Sequence, residues 1–155
     1  RVLFRSGRRV ERPEIRGQDP LDRVLSTVCE FSPPGRSVRE GAKWSTQVRA
    51  DPLVGRPGSV SEYTLVGTTK ADGISTWRVD YRYRESSGDN PSSAEGVFLI
   101  DENDQAVRAF DATILKVRLD ADTPLAKLKV KMRRAAPSSS RESQSNSGTV
   151  LRNSP

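Results

Sequence analysis

From Gly41 to Arg134 the polar and apolar positions alternate with a period of two, the signature of strands that wet one face and bury the other. Trp44, Thr46 and Val48 alternate with Ser45, Gln47 and Arg49. Val60 to Gly67 predicts a second strand, with Tyr63 and Leu65 on one face. The clearest strand runs from Ile74 to Arg84, where Trp77, Val79, Tyr81 and Tyr83 alternate with Arg78, Asp80, Arg82 and Arg84. Gly96 to Ile100 is a short apolar run that reads as a central strand, and Ala106 to Leu119 as one long or kinked strand with a bulge expected at Asp111-Ala112. In the last strand Leu128, Val130 and Met132 alternate with Lys127, Lys129, Lys131 and Arg133.

Turn chemistry separates these runs. Pro52 to Gly58 holds two prolines and two glycines, and Lys70-Ala71-Asp72-Gly73 is a hairpin signal, because Asp-Gly supplies the positive φ angles of a tight turn. Ser86 to Ser93, Asp101 to Gln105 and Asp120 to Pro124 are polar connections. About six closely spaced strands without a βαβ pattern predict a mainly β fold of the α+β kind, a curved antiparallel meander. Its single helix is expected near the N-terminus. Asp19 is a good N-cap, Pro20 suits the first helical position, and Leu21, Val24, Leu25 and Val28 form one apolar stripe that ends before Pro33-Pro34-Gly35. A strand over Val24 to Phe31 is the competing reading.

Composition adjusts this picture at the ends. Leu, Ile, Val and Phe make up 34 of 155 residues, enough for one small core and little more. Ala135 to Pro155 is rich in serine and nearly free of apolar residues, so it is expected to form a disordered tail. Gly7 to Gln18 carries Arg8, Arg9, Arg12 and Arg16 without periodicity and reads as a basic linker. Arg1-Val2-Leu3-Phe4-Arg5-Ser6 resembles a translated sequencing adapter of the kind found at the start of metagenomic gene calls; on that resemblance the true start lies upstream. The expected division is residues 1–18 as leader and linker, 19–134 as one β-rich domain, and 135–155 as tail.

The order of motifs also resembles a family. Gly41-x-x-Trp44 opens a strand, followed by Tyr63-Thr64-Leu65-Val66-Gly67, then Asp72-Gly73-x-x-x-Trp77-x-Val79, Gly96 to Asp101, and Gln105-x-Val107-Arg108-Ala109. Over roughly Gly41 to Leu119 this is similar to small, uncharacterised exported bacterial domains with a half-β-barrel, broadly like the outer-membrane lipoprotein carriers. The resemblance implies a curved sheet wrapped on a helix, an exported or periplasmic location, and in some members a lipid or acyl chain held in the hollow. It assigns no ligand residue.

The chemistry legible in the chain is sparse. There is no histidine and one cysteine, which excludes a disulfide framework, a His-based triad and a zinc site built on His or several Cys. Cys29 has no base to form its thiolate and reads as a structural core residue. Asp101 to Gln105 lacks the EF-hand glycine and glutamate, since Ala106 and Ala112 stand at those positions, so it reads as a turn. No Gly-x-Ser-x-Gly, Ser-x-x-Lys, Walker or Gly-x-Gly-x-x-Gly motif occurs, and Asp80, Asp101 and Asp111 have no partner at a known acid/base spacing. The sequence therefore predicts a non-enzymatic structural or binding module without a cofactor.

Two candidate sites follow. Trp44, Tyr63, Trp77 and Tyr81 form the aromatic layer and could line an apolar groove between sheet and helix, although such residues more often are simply core. Lys116, Arg118, Lys127, Lys129, Lys131 and Arg133 form a basic stripe for an anionic partner, or else a solvated edge kept from aggregating by its lysines. Residues 41–134 hold 15 basic against 13 acidic residues, a net +2 within a chain of +6, and the aromatics alternate away from the charges. That balance disfavours nucleic acid, and the apolar ligand ranks first, with a basic-surface module for nucleic acid or another polyanion as the alternative. No run approaches the roughly 18 apolar residues of a membrane helix.

Overall fold

The computed structural model describes residues 2–3, 25, 27–54, 56–87, 90–117 and 123–134. Strands β1 (Val2–Leu3) and β2 (Ser37–Val38) form a two-residue antiparallel ladder in which Val2 faces Val38 and Leu3 faces Ser37. The six remaining strands are β3 (Lys43–Val48), β4 (Ser59–Ala71), β5 (Ile74–Glu85), β6 (Ser93–Asp101), β7 (Val107–Val117) and β8 (Ala126–Arg133). They make one antiparallel sheet in sequential order, β3 to β8, with β3 and β8 at its two open edges. The expected six-strand meander is therefore the fold.

Local chemistry sets the connections. Asp72 and Gly73 take positive φ of 51° and 77° and join β4 to β5, with Ala71 paired directly to Ile74. This two-residue turn matches the right-handed twist of its strands. In the β6–β7 turn the Asp101 carboxylate accepts the Asn103 N–H at 2.9 Å, and the Asp101 carbonyl accepts the Gln105 N–H at 3.0 Å. Between β3 and β4 the chain makes a short 3-10 turn over Pro52–Val54, closed by a reciprocal pair of backbone bonds between Asp51 and Arg56.

The bulge expected at Asp111-Ala112 is not there: Asp111 pairs with Val97 and Ala112 with Gly96 in regular register. The irregularities flank that pair, at Arg108 and at Leu115-Lys116, where Lys116 takes a φ of 60°. A third lies at Val66-Gly67, with Gly67 at a φ of 151°. Phe110, Ala112 and Ile114 all point into the core, so the middle of β7 has no reason to break step.

Alternation places one aromatic face on all central strands. Tyr63, Leu65, Val79, Tyr81, Tyr83, Phe98, Ile100, Phe110, Ile114 and Val117 are buried there. Phe98 is the hub: it stacks on Phe110 at 4.3 Å and meets Tyr81 edge-on at 5.2 Å. The cover comes from the chain before β3. Val28 and Val38 are buried against this layer, with Leu25, Cys29 and Phe31 packed beside them. Phe31 lies edge-on to Tyr63 at 5.7 Å and against Phe98 at 5.4 Å. Polar bonds pin the cover down, since Trp44 Nε1 donates to the Ser32 carbonyl at 2.9 Å and the Tyr63 hydroxyl to the Glu30 carbonyl at 3.3 Å.

Of the expected Leu21 to Val28 helix, only Leu25, Thr27 and Val28 fall among the described residues. Cys29 N–H donates to the Leu25 carbonyl, which closes one turn, but no α-helix is established among the described residues. Residues 4–24, with the basic linker, and the serine-rich segment 135–155 lie outside the described residues. Among the described residues no helix is long and apolar enough to cross a membrane.

Candidate functional site: the outward face of the sheet

In an antiparallel sheet, residues directly opposite one another share a face. The register therefore fixes what lines the side away from the aromatic layer. One row across the strands reads Ser45, Glu62, Arg82, Glu95, Thr113, Lys129. The row beside it reads Lys43, Thr64, Asp80, Val97, Asp111, Lys131. With Arg78, Arg84, Lys127 and Arg133, which share this parity, the face carries eight basic residues. Four acidic residues accompany them, Glu62, Asp80, Glu95 and Asp111. Asp101 and Arg108 also meet at this side but pair with each other at 3.9 Å and are both buried, so they cancel.

The remaining acids of the strands and turns go elsewhere. Asp51, Asp72, Glu102 and Asp104 sit in connections. Glu85 serves the loop between β5 and β6, where it accepts the Ser92 N–H at 2.7 Å. A net of +2 over residues 41–134 thus resolves into a net of +4 on one face. Local pairing takes up part of that charge: Arg78 meets Asp80 at 3.1 Å, Arg82 meets Glu95 at 3.4 Å, and Arg133 meets Asp111 at 2.8 Å. The Arg133–Asp111 hydrogen bond raises the arginine's affinity for its proton. No ion pair among the described residues takes up Lys43, Arg84, Lys127, Lys129 or Lys131.

This face is also hollow. A broad open trough of about 970 Å³ runs over β3 to β7, edged by Lys43, Glu62, Arg78, Arg82 and Glu95 and floored by Thr64, Val97 and Thr113. A smaller depression of about 380 Å³ adjoins it, between Val60 and Leu115, beside Arg82 and Arg84. Gly96 lies in the floor. On the core side its hydrogen leaves no room for a larger group, since a Cβ there would come within 2.6 Å of the Ala112 Cβ.

The sequence-predicted residues separate accordingly. Tyr63 and Tyr81 are buried in the aromatic layer, and Trp44 and Trp77 pack half-buried against it. Trp44 stacks on Tyr63 at 5.3 Å, and Phe31 closes over the pair. Burial raises the Tyr63 hydroxyl above its ordinary value and pushes that of Tyr81 well above the usual tyrosine range. The neighbouring Ser61 opposes that rise but sits outside hydrogen-bonding geometry to Tyr81, whose hydroxyl has no partner among the described residues.

Of the basic stripe, Lys127, Lys129, Lys131 and Arg133 line the outward side of β8, and all four are exposed. Lys116 leaves the alternation at the bulge, where its carbonyl accepts the Ser92 hydroxyl at 3.0 Å. Arg118 lies outside the described residues. Sequence reasoning left Lys43, Arg78, Arg82 and Arg84 off the stripe, although their parity was readable. Missing was the register that sets them beside the lysines of β8.

The arrangement offers charge and shape. Among the described residues no cluster of three or more Cys, Asp or Glu could hold a metal ion. No protein-family model, curated protein or solved structure matches this chain.

Proposed function

We propose that this chain is a non-catalytic binding module that presents the outward face of its sheet to an anionic partner. The observation that carries the reading is the sorting of charge: eight bases and four acids on the hollow face, with the aromatics on the opposite side. Among the described residues several of those bases have no ion pair, so an incoming anion meets charge not already taken up by a described neighbour. Among the described residues the outward positions of the strands hold no aromatic side chain for bases or sugar rings to stack on, which favours recognition by charge over recognition of a nucleotide sequence. An apolar ligand between sheet and cover becomes the second choice, because Phe31 already occupies the surface of the aromatic layer.

The test is retention of the full chain on heparin. Changing Lys127, Lys129 and Lys131 together to Glu is expected to lower the salt needed for elution while leaving the thermal midpoint near that of the parent. Elution at unchanged salt sinks the proposal.

A further inference from the structure

Strand β8 ends the sheet, and among the described residues it pairs only with β7. Its outer rim therefore offers backbone N–H and C=O groups to any strand that can lie beside it. The two sides of that rim differ. Lys127, Lys129 and Lys131 stand on the outward face, roughly 6.7 Å apart at the spacing of alternate strand residues. On the core side Leu128 and Val130 are half-buried, and Met132 is 41% exposed, so the aromatic layer is left partly open at this edge.

We infer that β8 receives an extended acidic peptide as a seventh strand, one in which Asp or Glu alternates with apolar residues. The chemistry follows from the period. A strand added to β8 places every second side chain opposite the lysines and the others beside Leu128, Val130 and Met132. Carboxylates on the first set complement three ammonium groups that have no ion pair among the described residues. Apolar groups on the second set continue the core over the open methionine. The same lysines repel a basic edge and leave a neutral one uncompensated, so they discriminate among strands as well as protect the edge. This inference rests on the anionic-partner reading and narrows it to one class, an alternating acidic β-strand.

Fluorescence polarisation of the full chain with labelled, end-capped seven-residue peptides tests it. The probe alternates Val and Glu; its control has the same composition with the three Glu residues consecutive. The alternating peptide is expected to bind about tenfold more tightly, the sum of three cross-strand charge pairs and their apolar counterparts. Methylating the backbone nitrogens of one alternate set in that peptide should abolish binding, and methylating the other set should not, because only one set faces β8. The double change K129E/K131E should lose the acidic peptide and gain one that alternates Val with Lys. If the two acidic peptides bind alike, or neither methylation matters, strand addition is wrong. The anionic-face reading survives that result so long as heparin retention still depends on the three lysines, and falls with it if retention does not.

Discussion

The aromatic face and the charged face belong to the same six strands, but they are held by different forces. On the aromatic side Phe98, Phe110, Tyr81 and Tyr63 touch one another at 4.3 to 6.4 Å and exclude water. Each ring there depends on its neighbours, so the loss of one leaves a void that the rest cannot close. On the outward side Arg82 and Glu95 meet at 3.4 Å with about three-quarters of each side chain in solvent, where water competes for both charges. One face therefore carries the stability and leaves the other free to vary. Side chains on the outward face can change without unfolding the protein, which is what the proposed docking surface needs.

The sharpest way to break this contrast is at its hub. Phe98→Ala should cost about 4 kcal/mol of stability, read from the denaturant midpoint, because the residue is fully buried and touched by rings on several sides. A loss below about 1 kcal/mol would mean that the aromatic layer is not packed as described. High pH probes the same layer. The folded Tyr63 and Tyr81 hydroxyls titrate above their unfolded value of about 10, so their contribution is complete below pH 10 and is lost as pH climbs through that value toward the folded ones. The expected outcome is an ultraviolet tyrosinate signal from these two residues that appears together with unfolding, followed by parallel absorbance and circular dichroism titrations. Ionisation well before unfolding would place them in solvent. At the small end, Arg82→Ala should change stability by no more than about 0.5 kcal/mol in a thermal melt. A larger loss there would make the outward face a structural element and undo the comparison.

Much of this was legible in the chain. The alternation from Trp44 to Val48, from Trp77 to Tyr83 and from Lys127 to Arg133 names the faces without coordinates, because a strand turns successive side chains to opposite sides. Asp72-Gly73 announces its hairpin for the same local reason. The bulges were not legible. Whether Arg108 or Ala112 falls out of step depends on what stands opposite, and Ala112 is held in register against Gly96. Phe31 could not be assigned as a cover either, since a residue in a Pro-flanked connection has no period to declare its side.

The sequence by itself determined which side chains travel together, for period two is a local property of each strand. Only the tertiary structure decided which of those sets became neighbours. Hydrogen-bond register laid Arg82 beside Glu95 and brought both into line with Lys129, and the turns drew most of the other acids off the sheet. A net charge is a sum and carries no direction. A folded sheet divides that sum between two faces, and on this one the division leaves the bases outward.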